Sequence, residues 1–86
     1  MNRKIMKFGA TWCGPCKVQN SILDQLHEEK PDVDIQLVDV DTEEGETLTA
    51  KYGITNVPVI IIFNEDGTEY TRFVGLTQKK QLLEVL

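Results

Sequence analysis

The sequence lacks features that are typical of zinc-stabilised, nucleic-acid-binding and membrane-spanning proteins. Its 86 residues include two cysteines and one histidine. It has nine lysines and arginines and fourteen aspartates and glutamates, which give a formal charge of −5. A closed structural zinc site needs more cysteine and histidine ligands than this inventory supplies. The acidic balance argues against nucleic acid or an anionic membrane as the main partner.

Long apolar runs are also missing. The longest nearly unbroken one extends from Val57 to Phe63, whereas a membrane-spanning helix needs about 20 apolar residues. Residues 1–8 lack the apolar stretch of a secretory signal. We therefore expect no membrane partner, a cytoplasmic location, and a single domain over residues 1–86.

What is present is an alternation of strand and helix signals. Four apolar, β-branched segments predict strands: residues 4–9, 33–40, 59–63 and 68–74. The turn signal at residues 64–67 makes the last two an antiparallel hairpin. The first two connections contain helices, so we expect right-handed crossovers between parallel strands. The order β-α-β-α-β-β-α predicts an α/β fold, a four-stranded mixed sheet with helices on both faces.

Each predicted helix has a start signal. Gly14-Pro15 opens the first helix, because proline is well placed in a first turn. Asp41 is expected to cap the second helix and Thr77 the third. The apolar face of the first helix is predicted from a recurrence every four residues: Val18, Ile22 and Leu26.

Both cysteines lie where the first strand gives way to the first helix, in Trp12-Cys13-Gly14-Pro15-Cys16. A helix N-terminus carries unpaired N–H groups and a partial positive charge, which lower the pKa of a nearby thiol. Cys13, the outer residue, is the candidate nucleophile toward a disulfide, and Cys16 is the candidate resolving thiol. The alternatives are two structural cysteines in a turn or half of an intermolecular metal site.

Three segments resemble landmarks of the thioredoxin family. Residues 12–17 are similar to its active-site signature, residues 52–58 to its segment with a cis-proline, and Val74-Gly75 to its glycine beside the substrate groove. They follow the family's order and spacing from about Lys4 to Leu86. The strand and helix that typical thioredoxins carry before the first strand predicted here are absent from this sequence.

The resemblance implies a thioredoxin-like fold and a role for each matching residue. Cys13 would attack and Cys16 would resolve. Pro58 would be cis and lie against the cysteines, and the backbone of Val57 would pair with an extended substrate segment. The substrate-binding residues would be Trp12, Gly14, Pro15, Val57, Pro58 and Gly75. The alternatives are ordinary packing for Trp12, a trans bond before Pro58 and a simple turn for Gly75.

One position departs clearly from the family. Thioredoxins usually have a buried aspartate six residues before the attacking cysteine, where this chain has Lys7, and the lysine that pairs with it is replaced by Leu37. Lys7 either points to solvent at the sheet margin or lies under the active site and pairs with Asp39. In the second case its ammonium would favour both thiolates and make the disulfide more oxidising.

The leading interpretation is a protein disulfide reductase. It would carry electrons from an NADPH-dependent thioredoxin reductase to protein disulfides such as those of ribonucleotide reductase. It would act as a monomer, with no metal and with the Cys13–Cys16 couple in place of a cofactor. One rival is a glutaredoxin-like, glutathione-dependent enzyme, which the Gly14-Pro15 spacer disfavours. The other is a non-catalytic binding module that uses the groove around Trp12, Val57 and Gly75.

Overall fold

The computed structural model describes residues 3–86, so Met1 and Asn2 of the predicted domain lie outside the described part. Along that part the elements are β1 (Lys4–Gly9), α1 (Gly14–Glu29), β2 (Asp34–Asp39), α2 (Glu43–Tyr52), β3 (Val59–Phe63), β4 (Glu69–Val74) and α3 (Lys79–Leu83). The predicted order of strands and helices is confirmed.

The sheet has the order β2-β1-β3-β4. β1 runs parallel to β2, as predicted for the first crossover, and β3 and β4 form the predicted antiparallel hairpin. The prediction for the second crossover is wrong, since β3 does not run parallel to β2. Instead it pairs antiparallel with β1. A strand that is buried at every position has the same apolar pattern in either direction, so the sequence did not reveal this reversal.

The sheet separates two apolar layers because successive side chains of a strand point to opposite faces. Ile5 and Ile60 belong to one layer, where they join residues of α1 and α3. Met6, Phe8 and Ile61 belong to the other layer, which the α2 side of the molecule covers. Helices therefore cover both faces, as predicted. Lys7, two residues after Ile5, falls on the α1 face.

The buried face of α1 differs from the predicted one. Its buried residues are Cys16, Gln19, Leu23 and Leu26, while Val18 is 50% exposed. A strict four-residue step drifts around a helix that has 3.6 residues per turn, so Val18 leaves the face to which Leu26 belongs. The inward position goes instead to a polar residue, Gln19, whose amide has partners in the interior.

Two predicted helix caps are also wrong by one residue. Thr42, not Asp41, caps α2, and its hydroxyl accepts a hydrogen bond from the Gly45 N–H at 2.9 Å. Gln78, not Thr77, precedes α3. In both cases the predicted residue is held elsewhere. The Asp41 carboxylate binds the Trp12 indole, and the backbone of Thr77 binds Gln19.

Candidate active site

The two cysteines form a disulfide at the start of α1, with their Cα atoms 5.3 Å apart. Cys13 occupies the N-cap position, where its sulfur accepts a hydrogen bond from the Cys16 backbone N–H at 3.2 Å. Cys13 is 5% exposed and Cys16 is 1% exposed. The positive end of the helix thus points at the sulfur of Cys13 and favours negative charge there.

Trp12 stands beside the disulfide with most of its ring in solvent. The residue is 68% exposed, and its indole N–H donates to the Asp41 carboxylate at 2.8 Å. An exposed ring held at its polar tip is not ordinary core packing, since a core tryptophan is covered on its apolar faces. Gly14 and Pro15 follow in the first turn of α1 and are also exposed.

The segment that ends at Pro58 and the segment that contains Gly75 meet next to the cysteines. The Val57–Pro58 peptide bond is cis, as predicted, and Val57 packs against the cluster of Ala10, Cys13 and Cys16. The Gly75 N–H donates to the Pro58 carbonyl oxygen at 2.9 Å. Gly75 has a φ of 92°, a conformation that residues with a Cβ rarely adopt, so the loop requires glycine here.

Lys7 is buried under this site. It is 4% exposed, and its ammonium nitrogen donates to the Asn20 side-chain oxygen at 2.8 Å. The solvent-facing alternative is therefore wrong. Burial lowers the pKa of Lys7, and the charge of Asp39 partly opposes this by raising it. The hydrogen-bond partner of Lys7 is Asn20 rather than Asp39, which acts on Lys7 electrostatically.

Two polar residues of α1 belong to the site and were missed in the sequence. Asn20 follows Cys16 by one helical turn, so its spacing could have placed it beside the strand that carries Lys7. Gln19 is fully buried. Its amide nitrogen donates to the Thr77 carbonyl at 2.9 Å, and its oxygen accepts from the Thr77 N–H at 2.8 Å. Gln19 therefore connects α1 to the loop that follows Gly75.

Within residues 3–86, no group of three or more histidine, cysteine, aspartate or glutamate side chains is placed to hold a metal ion. His27, the single histidine of the sequence, is exposed on α1. Nor does this part of the chain contain a helix with the length and apolar character needed to cross a membrane.

Comparison with known proteins gives independent support for the resemblance to thioredoxins. The family model for thioredoxin matches residues 2–86. Thioredoxin of Staphylococcus epidermidis is 36% identical over 86 residues, which covers 96% of this chain and 78% of the relative. Thioredoxin of Chlamydia trachomatis is 37% identical over 82 residues, with 95% of this chain and 78% of the relative covered.

The fold agrees with solved structures as well. The X-ray structure of Fasciola hepatica thioredoxin superposes with a TM-score of 0.84 at 34% identity, over 98% of this chain and 77% of that one. Thioredoxins in general exchange electrons with a thioredoxin reductase and with protein disulfides, and use no cofactor beyond their own disulfide. With its disulfide at the N-terminus of α1 and this family match, the chain belongs to the thioredoxin family and is a thiol–disulfide oxidoreductase.

Proposed function

We propose that this protein reduces protein disulfides, with Cys13 as the attacking thiolate and Cys16 as the resolving thiol. The observation that carries the assignment of roles is the hydrogen bond from the Cys16 backbone N–H to the Cys13 sulfur at the start of α1. A thiolate at that position is stabilised by the helix N-terminus and lies at the outer end of the site.

The reaction has two displacement steps. The Cys13 thiolate attacks one sulfur of the substrate disulfide, forms a mixed disulfide, and releases the first substrate thiolate, which takes a proton from water. Cys16 then loses its proton and attacks the Cys13 sulfur. The second substrate thiolate leaves, and the Cys13–Cys16 disulfide holds the oxidising equivalents. Two electrons have passed to the substrate.

The substrate groove is formed by Trp12 on one side of the cysteines and by Val57-Pro58 and Gly75 on the other. An extended substrate segment pairs with the backbone of Val57, as an added strand does at a sheet edge. Open space above Gly75 supports this role, because a Cβ built there meets no atom within 4 Å. Gly14 and Pro15 complete the surface that surrounds the sulfurs.

An NADPH-dependent thioredoxin reductase is the proposed electron donor, and ribonucleotide reductase is one proposed acceptor. The proposal includes a cytoplasmic, monomeric protein with residues 1–86 as one domain. A reducing compartment suits it, because a dithiol that donates electrons must be regenerated continuously. The family match over residues 2–86 supports the single domain.

Trapping of the mixed disulfide tests the proposal. Cys16→Ser should accumulate a covalent complex between Cys13 and a disulfide-containing protein, visible by intact mass and reversed by dithiothreitol. Cys13→Ser should form no such complex and should not reduce the substrate. A complex that forms through Cys16 in the Cys13→Ser variant would reverse the assigned roles. Reduction that depends on glutathione instead of the reductase would contradict the proposed donor.

A further inference from the structure

Gln19 is a buried amide on the inner face of α1, and the two displacement steps above give it no role. It lies on the same face of the helix as Cys16, Leu23 and Leu26, and it is fully buried. An apolar residue at this position would be buried without the cost of removing a polar group from water. The amide therefore indicates that directional hydrogen bonds are required here, and its partners show for what.

Those partners are the two backbone groups of Thr77. The side-chain nitrogen of Gln19 donates to the Thr77 carbonyl at 2.9 Å, and its side-chain oxygen accepts from the Thr77 N–H at 2.8 Å. A pair of hydrogen bonds fixes orientation as well as distance, because a rotation that keeps one bond misaligns the other. Gln19 thus holds Thr77 in one position relative to α1.

Thr77 belongs to the loop of residues 75–78, which connects β4 to α3 and has no regular structure of its own. In the described part of the chain, two sets of hydrogen bonds join this loop to elements other than α3. One set is that of Thr77 with Gln19, and the other is the bond from the Gly75 N–H to the Pro58 carbonyl. The position of the loop therefore depends on Gln19.

Gly75 is held by Thr77 in turn. The Thr77 hydroxyl donates to the Gly75 carbonyl oxygen at 3.1 Å. Thr77 is buried, whereas the neighbours of Gly75, Val74 and Leu76, are exposed. A continuous set of hydrogen bonds thus leads from the buried amide of Gln19, through Thr77, to the part of the loop that solvent or a bound segment can reach.

We propose that Gln19 is a positioning residue for substrate binding. Through Thr77, its amide sets where Gly75 lies across the groove from the backbone of Val57. The inference rests on the proposed function and adds a residue that shapes its groove. A substrate segment that pairs with Val57 passes close to Gly75, so a displaced loop binds that segment less tightly. A small disulfide has no such segment, so Gln19 favours peptide disulfides over small ones.

The test compares two substrates that release the same leaving group. One is an extended peptide whose single cysteine is joined to thionitrobenzoate by a disulfide, and the other is the same disulfide of mercaptoethanol. In the Cys16→Ser background, the Cys13 thiolate attacks the cysteine or mercaptoethanol sulfur, and the coloured thionitrobenzoate thiolate leaves with the electron pair of the broken bond. The dependence of the rate on peptide concentration separates KM from the limiting rate.

We expect Gln19→Leu to raise KM for the peptide about tenfold, the effect of losing about one hydrogen bond to the substrate. The limiting rate and the rate constant for the small disulfide should change by no more than about twofold, because the substitution leaves Cys13 at the helix N-terminus. Gln25→Leu, at an exposed position of α1, is the matched control and should change neither substrate's kinetics. Circular dichroism first establishes that each variant is folded.

Thr77→Val tests the next contact without touching the buried amide. It preserves the shape of the side chain but removes the hydrogen bond to the Gly75 carbonyl, so it should raise KM for the peptide about fivefold. Thr77→Ser keeps the hydroxyl and should raise KM less than Thr77→Val does. This pair of variants still tests the proposal if Gln19→Leu fails to fold.

The possible failures are distinguishable. A peptide KM within twofold of the parent, in Gln19→Leu or in Thr77→Val, would overturn the positioning role and leave the proposed function intact. An equal loss of rate with both substrates would also overturn it, because the effect would then lie at Cys13 and not in the groove. If Cys13 does not attack the peptide disulfide even with Gln19 and Thr77 in place, the proposed function itself is refuted.

Discussion

Replacement of Gln19 by leucine should destabilise the protein far more than the same change elsewhere on α1. Gln19 is fully buried, and its amide satisfies both the N–H and the carbonyl of Thr77, which is itself buried. Gln19→Leu preserves the approximate volume of the side chain but removes both hydrogen bonds. The two backbone groups of Thr77 then remain in the interior without a partner.

The magnitude follows from those two groups. A buried donor or acceptor left without a partner costs about 1–3 kcal/mol. The two losses are not independent, and the apolar side chain recovers part of the free energy through burial. We therefore expect the free energy of unfolding to fall by about 3 kcal/mol. For a domain of this size that corresponds to a decrease in Tm of about 15 °C.

The matched control is Gln25→Leu, the same substitution at an exposed position of the same helix. It should change the free energy of unfolding by no more than about 0.5 kcal/mol. Both variants are compared with the parent by urea unfolding of the oxidised protein, so that the disulfide is the same in all three. If Gln19→Leu and Gln25→Leu lose equal stability, the connection from α1 to the Gly75 loop contributes nothing and the reasoning is refuted.

Two other substitutions test the packing of α2 and a surface ion pair. A Cβ at Gly45 would overlap the Asp39 carbonyl oxygen, so Gly45→Ala should cost a net of about 2 kcal/mol in urea unfolding despite its better helix propensity. Gly14→Ala, whose Cβ meets nothing within 4 Å, should lose none. The hydrogen-bonded Arg72 guanidinium lowers the pKa of Glu69, so their pairing stabilises the fold at neutral pH and is lost as the pH falls through that lowered pKa. Glu69→Gln should therefore be less stable than the parent at pH 7, by less than about 1 kcal/mol. The difference should disappear once the pH lies below the lowered pKa of Glu69, and a difference that persists in that acidic range would contradict this.

Much of the fold was predictable because it depends on patterns that the sequence carries locally. The apolar segments gave all four strands, and Gly14-Pro15 gave the start of α1. The direction of β3 was not predictable, because a fully apolar strand has no feature that distinguishes one direction from the other. The caps were misplaced because Asp41 and Thr77 are good capping residues that the tertiary structure uses for other contacts.

The candidate active site also has features that could be predicted from the sequence and features that could not. The positions of Cys13 and Cys16 and the cis bond before Pro58 could be predicted from short motifs, since each is confined to a few adjacent residues. The partner of Lys7 could not, because it depends on how a strand and a helix lie against each other. Sequence alone left two alternatives for the Lys7 side chain, solvent or a pairing with Asp39. In the structure its nitrogen donates a hydrogen bond to Asn20.

Two polar residues of α1 hold the helix in position around the inner cysteine, Cys16. Within little more than one turn after Cys16, Gln19 binds the loop after Gly75 and Asn20 binds Lys7 on the central strand. A helix that used only apolar residues here would pack against the same elements without directional contacts. The two hydrogen-bonded side chains fix how α1 is rotated and how far it lies from its neighbours. These contacts therefore fix the position of Cys16 at the start of α1, where the proposed second step needs it.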